Sequence, residues 1–406
     1  MRIRPNSLGF TILLGALAAL PPLAIDMGLP ALAALGASLN ASPAARGLTL
    51  SLFMAGFAIA QLVFGPFSDR YGRRPILLAG CGVFALAGVM CTIAPSINAL
   101  IAWRFIAGAG AGAAAVLEMA IVRDLFEGAA ARAQFSYINL VMSIAPMIAP
   151  TIGGWVLTIA NWRAIYGVLA VGGFVLLIAI AIGFGESIPH RDKNALAPHR
   201  LVSNYLRVLG NRICIGYALV NGLSFGCMFA YVAGSPLVLI DILGVSTTVY
   251  GWFFASTALA IMAGSFLNGR LSVRGVPPSR LLKLGLTLAV ASAIALVFVS
   301  ISSDVRVATL MPLLVLNTFC FGLIAPNAKH GALQPLPKVA GVAAAVLGFT
   351  QMLIGGTLAS ALVAFLYDGR TATAMTGVMT LFALASLAAY AGIVRPAEKR
   401  AAGALS

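Results

Sequence analysis

Of the chain's 406 residues, 61% are hydrophobic and 9% charged, and the mean hydropathy is +1.00, values that exclude a soluble globular domain. The formal charge of +15 is scattered through short polar gaps without aromatic interleaving, which sets nucleic acid aside and fits positive charge retained on one membrane face. Cys81, Cys91, Cys214, Cys227 and Cys320 fall in or beside apolar runs without C-x-x-C or Cys/His spacing, so they read as small buried hydrophobes. With His190, His199 and His330 in or next to gaps, no metal site, no cofactor and no catalytic constellation is expected; the chain does not read as an enzyme.

Apolar windows long enough to cross a ~30 Å hydrocarbon core at 1.5 Å per residue predict twelve helices. They fall at about 8–34, 46–67, 75–94, 97–124, 131–158, 163–185, 212–239, 247–270, 279–300, 305–328, 338–366 and 371–394. Arg2 and Arg4 before the first run imitate a signal peptide, but the run is too long, and it is expected to be a retained first helix. All of the 26 Lys and Arg except Arg46, Arg104, Arg163, Arg306 and Arg370 fall at the termini or in even-to-odd loops, so both termini are expected to be cytoplasmic. One polar gap, about 186–211, splits the helices six and six and reads as a cytoplasmic linker, either extended or a surface helix. The expected domains are 1–185, the linker, and 212–406.

Between the second and third predicted helices lies GPFSDRYGRRP, Gly65 to Pro75. Gly65 and Gly72 suit tight turning, Asp69 can charge a helix end, and Arg70, Arg73 and Arg74 hold the loop at an anionic surface. In the second half, GSFLNGRLSVRG at Gly264 to Gly275 holds the corresponding place without the aspartate, the trace a duplicated six-helix half leaves.

Asp26, Arg104 and Glu118 sit well inside apolar runs, where an ionisable side chain costs several kcal/mol unless paired or wet. From the helix centres, Asp26 and Arg104 both lie ~9 Å to the outer side of the midplane; they either share a water-filled cavity or form a fixed ion pair. Glu118 lies about 40° from Arg104 around the same helix and about 21 Å deeper toward the cytoplasm, reading as a functional acid, as a structural partner for Arg123, or as a residue nearer the cytoplasmic interface than the helix bounds imply. Gly108, Ala111, Gly112 and Ala115 between them form a stripe that admits close approach. In the fifth helix, SIAPMIAPTIGG places Pro146 and Pro150, which cannot donate to the helix ladder, before Gly153 and Gly154, predicting a kinked helix tightly apposed to a neighbour.

The G-x-x-x-D-R-x-G-R-R spacing resembles the signature between helices 2 and 3 of the major facilitator superfamily, and P-x-x-G-G resembles its exporters' G-P-x-x-G-G, with Ala149 at the first glycine. AIDMGLPAL at Ala24 to Leu32, VRDLF at Val122 to Phe126, NWRAIY at Asn161 to Tyr166 and FAYVAGSPLVLI at Phe229 to Ile240 resemble the bicyclomycin and chloramphenicol resistance (Bcr/CflA) branch of twelve-helix drug:proton antiporters. The likeness covers nearly the whole chain and is strongest before residue 170.

That resemblance implies an all-α polytopic membrane protein with twelve transmembrane helices in two pseudo-symmetric six-helix bundles, the major facilitator fold. It further implies a monomer in the bacterial cytoplasmic (inner) membrane that exports small-molecule drugs in exchange for protons, with the lipid bilayer as its other partner. Asp26 would couple protons and touch drug, Arg104 would control it, and Ala107 stands where many relatives have glutamine. Glu118 falls where relatives commonly have a small or neutral residue, and would either add a second acidic site that couples protons and favours cationic substrates or replace a missing interaction. Asn139 and Met142, with Met228, Phe229 and Tyr231 on helix 7, are candidates for an adaptable cavity wall, and equally ordinary membrane core. The same scaffold run in reverse, as a proton-coupled symporter importing a nutrient, is the competing expectation.

Overall fold

The computed structural model describes residues 3–5, 7–188, 190–302 and 305–403; Arg2 lies outside them. Every element among these residues is helical, and twelve helices are long and apolar enough to cross a membrane. The first six are α1 (Leu8–Ser38), α2 (Pro43–Tyr71), α3 (Arg73–Thr92), α4 (Ile97–Leu125), α5 (Gly128–Ile159) and α6 (Trp162–Gly183). A short helix, α7 (Pro198–Leu209), occupies the long polar gap. The remaining spans are α8 (Arg212–Ile242), α9 (Thr247–Val273), α10 (Pro278–Ile301), α11 (Val307–Leu333), α12 (Ala340–Leu366) and α13 (Thr373–Arg400). The chain is therefore an all-α, multi-pass membrane protein.

An apolar run in lipid must satisfy its own backbone groups, which makes helix the only open-chain solution. The polar residues that interrupt the runs set where helices begin. Ser42, Ser96, Asn211 and Ser246 each accept a hydrogen bond from the backbone N–H three residues on, at 3.2, 3.3, 2.9 and 3.4 Å.

Three elements depart from the sequence expectation. The charged stretch between the second and third helices is hardly a loop: Asp69, Arg70 and Tyr71 finish α2, Arg73 and Arg74 start α3, and Gly72 alone makes the turn at φ 106°. Only glycine adopts that φ without strain, so the two helices continue to the corner. The first span is broken: its α-helix ends at Asp26, and Leu29–Ala31 is a 3-10 turn before the helix resumes at Leu32. The eleventh span widens into a π-helical stretch at Gln351–Leu358, where the buried Asn221 of α8 donates to the Gln351 side chain at 2.9 Å.

The chain divides into two compact units, Met1–Leu201 and Val202–Ser406. In the first, α2 and α4 touch backbone to backbone: a Cβ on Gly56 would meet the Phe105 carbonyl oxygen, and one on Gly108 would meet that of Phe53. The second unit repeats the device in α9 and α11, where Gly264 meets the Phe319 carbonyl and Gly322 that of Ile261. Small residues let helices approach closely enough for dispersion to hold them where lipid removes any hydrophobic drive. Neutral polar bonds tie the second unit together: Asn327 donates to Asn268 at 2.6 Å, and Asn317 donates to Ser292 at 3.0 Å and to the Ala289 carbonyl at 3.1 Å. All five cysteines are buried free thiols, and Cys227 also donates to Asn317.

Candidate functional site

Two clusters of charge lie within the first unit, one at the break in α1 and one at the α2–α3 corner. At the break, Asp26 is the last residue of the first helical stretch and is 5% exposed. Gly153 of α5 stands directly against the Met27 carbonyl, so the P-x-x-G-G run is the surface on which the break rests. Pro146 and Pro150 lie inside α5, which continues as one helix through both, and Gly154 is buried beside Gly153.

Arg104 is 4% exposed, and no ion pair joins it to Asp26 among the described residues. Its guanidinium lies 4.2 Å above the Phe53 ring and 5.7 Å from the Tyr166 ring, and its Nε donates to the Thr49 carbonyl at 3.3 Å. A desolvated arginine on aromatic faces draws on cation–π attraction in place of a counter-ion. The Tyr166 hydroxyl stands 3.8 Å from the position of a Cβ on Gly28, two residues beyond Asp26. Tyr166 thus neighbours both Arg104 and the α1 break.

Glu118 is 2% exposed, and its Oε2 is buried without a hydrogen-bond partner among the described residues. Arg123 is exposed and makes no ion pair with it, which removes the structural-partner reading of this pair. Of the proposed wall residues, Asn139 and Met142 of α5 are exposed. Met228, Phe229 and Tyr231 are buried in α8; Phe229 stacks on Phe225, and the Tyr231 hydroxyl accepts from Thr257 at 3.1 Å.

At the corner, Arg73 is the hub. Its Nε donates to Asp124 Oδ2 at 2.8 Å, and Nη1 donates to Ser68 Oγ at 2.5 Å and to Asp69 Oδ1 at 2.6 Å. Glu186, just past α6, accepts from the backbone N–H groups of Arg73 and Arg74 at 2.8 and 3.4 Å, and from those of Ser187 and Ile188 at 3.1 and 3.4 Å. Those first two donors open α3, so Glu186 caps a helix N-terminus from a distant segment, where a carboxylate is favoured. Arg74 donates to the Ala181 carbonyl at 2.7 Å, and Ser187 Oγ to Asp124 at 3.3 Å. Arg70 is the outlier: it is exposed and lies over the Tyr71 ring at 5.4 Å. Gly65 has nothing against it.

Asp124, Glu186 and Tyr166 were not among the residues singled out for a site by sequence reasoning. A signal existed, since Asp and Glu total only 11, and an acid at the end of an apolar run beside three arginines has few other partners.

The model of the Major Facilitator Superfamily matches residues 13–360. The chain belongs to the Major Facilitator Superfamily. It is 35% identical to the "Uncharacterized MFS-type transporter YdgK" of Bacillus subtilis over 96% of each chain. It is 32% identical to the "Bicyclomycin resistance protein homolog" of Haemophilus influenzae, covering 94% of this chain and 95% of that one. "Multidrug resistance protein D" of Escherichia coli is 29% identical over 88% of this chain and 89% of its own. Among solved structures, a bacterial homolog of the human lysosomal transporter Spinster superposes with a TM-score of 0.73 at 14% identity, covering 95% of this chain and 96% of that one. The D-xylose-proton symporter superposes at 0.67 with 15% identity, over 94% and 97%. At such identities the structures speak for the major facilitator fold alone. Within that superfamily the chain is a transporter, and its twelve candidate spans agree with the fold of these solved structures.

Proposed function

We propose that this transporter is a proton-coupled multidrug efflux antiporter of the bacterial cytoplasmic membrane, monomeric and with both termini in the cytoplasm, that exports small amphiphilic or antibiotic-like compounds by alternating access. The observation that carries the reading is Asp26: a buried acid at a helix break inside a membrane span, without a fixed counter-ion among the described residues. An acid so placed is served by a mobile partner, a proton or a cationic cargo. Arg104, held by Phe53 and Thr49 rather than by Asp26, supplies positive potential that a small shift of α1 against α4 would bring closer or withdraw. The relatives named for bicyclomycin and multidrug resistance support export over uptake.

Exchange of one proton for a neutral compound draws on voltage and pH gradient together, at about 2.3 kcal/mol per charge per 100 mV. Exchange for a monovalent cation is electroneutral and draws on the pH gradient alone. The test is uphill transport in proteoliposomes with an imposed pH gradient, comparing wild type with Asp26→Asn. Collapse of uphill transport with retained downhill exchange supports the role; undiminished uphill transport in the variant removes it. Dye accumulation on expression decides direction, since an exporter lowers it and an importer raises it.

A further inference from the structure

The polar gap carries a helix that transport by the spans does not use. Around α7, at about 100° per residue, Val202, Leu206 and Leu209 form one ridge within a sector of about 60°. All three are exposed, at 56, 62 and 56%. Val208, beside that ridge, is fully buried, and Leu201 and Tyr205 are half-buried, so this neighbouring sector is the one that packs on protein. Arg200, Ser203 and Arg207 are exposed about 100–160° around from the ridge. The helix thus has three faces: one against protein, one apolar and open, and one basic and open.

Its tethers fix its height. Only Gly210 and Asn211 separate α7 from α8, and three Cα steps reach about 11 Å at most. The Gly210 and Asn211 N–H groups bond back to Leu206 and Val208, shortening the link further. The apolar ridge is therefore held at the level where a membrane span begins. At its other end, Arg200 donates to Asp192 at 2.6 Å, and the Asp192 N–H bonds to the Asp69 carbonyl at 3.0 Å, fastening the first turn of α7 to the α2–α3 corner.

We propose that α7 lies in the plane of the bilayer interface, with Leu209, Val202 and Leu206 among the acyl chains and Arg200 and Arg207 at the phosphates of anionic lipid headgroups. Assigning it to the cytoplasmic leaflet rests on the topology proposed above; the lipid seat does not, and its readout is independent of transport. Apolar contact sets depth, and the arginines set preference for anionic lipid.

The test uses the full chain in vesicles of phosphatidylcholine alone and of phosphatidylcholine with phosphatidylglycerol, carrying a nitroxide through Leu206→Cys or Ser203→Cys; the native thiols are buried. At the Leu206 position, collisions with oxygen are expected to exceed those with a water-soluble nickel complex several-fold, and the reverse at the Ser203 position. Adding phosphatidylglycerol lowers nickel collisions at the Leu206 position by up to about fivefold for each arginine at the headgroups, the ratio set by ~1 kcal/mol per basic residue, and Arg207→Gln removes its share of that drop. Nickel reaching both positions equally would put α7 in water and overturn the proposal. Neither agent reaching the Leu206 position would mean a protein surface covers the ridge, which also overturns it. No response to phosphatidylglycerol overturns the headgroup assignment.

Discussion

Gly153 of α5 and the carbonyl of Met27 in α1 are so close that a Cβ cannot stand between them. Met27 follows Asp26, so the backbone that carries the buried acid is seated on the glycine of the P-x-x-G-G run. Alanine at 153 must push α1 outward or strain its break, an overpacking that costs about 1–3 kcal/mol. Gly153→Ala is expected to lower the melting temperature in detergent and to cut transport, while Gly167→Ala, where the nearest neighbour is a side-chain oxygen at 3.9 Å, should change neither. Normal transport and melting in Gly153→Ala would show that the contact is not needed.

The Arg73 hub ranks its partners by burial. Asp124 keeps 16% of its side chain exposed and takes the Nε at 2.8 Å, whereas Asp69 keeps 45% and takes Nη1 at 2.6 Å. Solvent discounts the second pair toward the 0–1 kcal/mol of a surface bridge. Removing one partner of the more buried pair costs about 3–5 kcal/mol, because the other charge is left alone. Asp124→Ala is therefore expected to destabilise far more than Asp69→Ala in denaturation of the purified protein, and Arg73→Lys to rescue little, since an ammonium cannot reach all three acceptors in the fork geometry. Equal losses for the two aspartates would contradict this ranking.

The twelve spans were legible because apolar length alone decides them, and the doubled glycine-and-arginine loop betrayed the repeat. Asn268, at the register of Asp69, shows how the copy diverged: its partner is neutral Asn327 of α11, so at this position the second unit ties α9 to α11 by a neutral bond. What the sequence hid were contacts between distant segments. Glu186 was visible only as the first residue of a polar gap, yet it caps α3 more than a hundred positions earlier. The break at Met27 was equally hidden, because Gly28 and Pro30 read as tolerable within a span until α5 is seen pressing there. The π-helical stretch at Gln351–Leu358 has no apolar signature, since its cause is the facing Asn221 and the backbone contact of Gly355 with Gly222.

Asp368, in the turn between α12 and α13, offers a pH dependence outside the spans. Its carboxylate accepts from the N–H groups of Arg370 and Thr371, both at 2.9 Å, and from the Thr371 hydroxyl at 2.8 Å, which holds its pKa below the usual carboxylate range. A lowered folded-state pKa means the stabilisation is present above the unfolded value near ~3.9 and fades as pH falls through the folded one. The side chain is largely in solvent, so the effect is small. Protease cleavage after Arg370 at neutral pH is expected to quicken in Asp368→Ala, and in wild type the turn's amide protection should persist to below about pH 4. Loss of that protection already at pH 5 would rule the carboxylate out as the cause.

Glu118 is placed by its neighbours on α4. Gly108 and Gly112 point at α2, and Gly110 and Ala113 at α3, while Glu118 lies about 100° around the helix from both directions. The remaining helices packed on α4 are α1 and α5. On α5, Gln134 Oε1 is likewise buried without a donor, its amide nitrogen being spent on Thr11 of α1 at 3.0 Å. Two acceptor oxygens without donors, on two helices that both pack on α1, suit a positively charged or proton-donating visitor. Glu118→Gln keeps the volume and removes the charge. Resistance to cationic compounds is expected to fall at least tenfold in a pump-deleted strain while resistance to neutral compounds stays within twofold, and the melting temperature should not drop, since no ion pair is lost. A loss shared equally by both cargo types would assign Glu118 to coupling or folding, and no loss for either would make it a passenger.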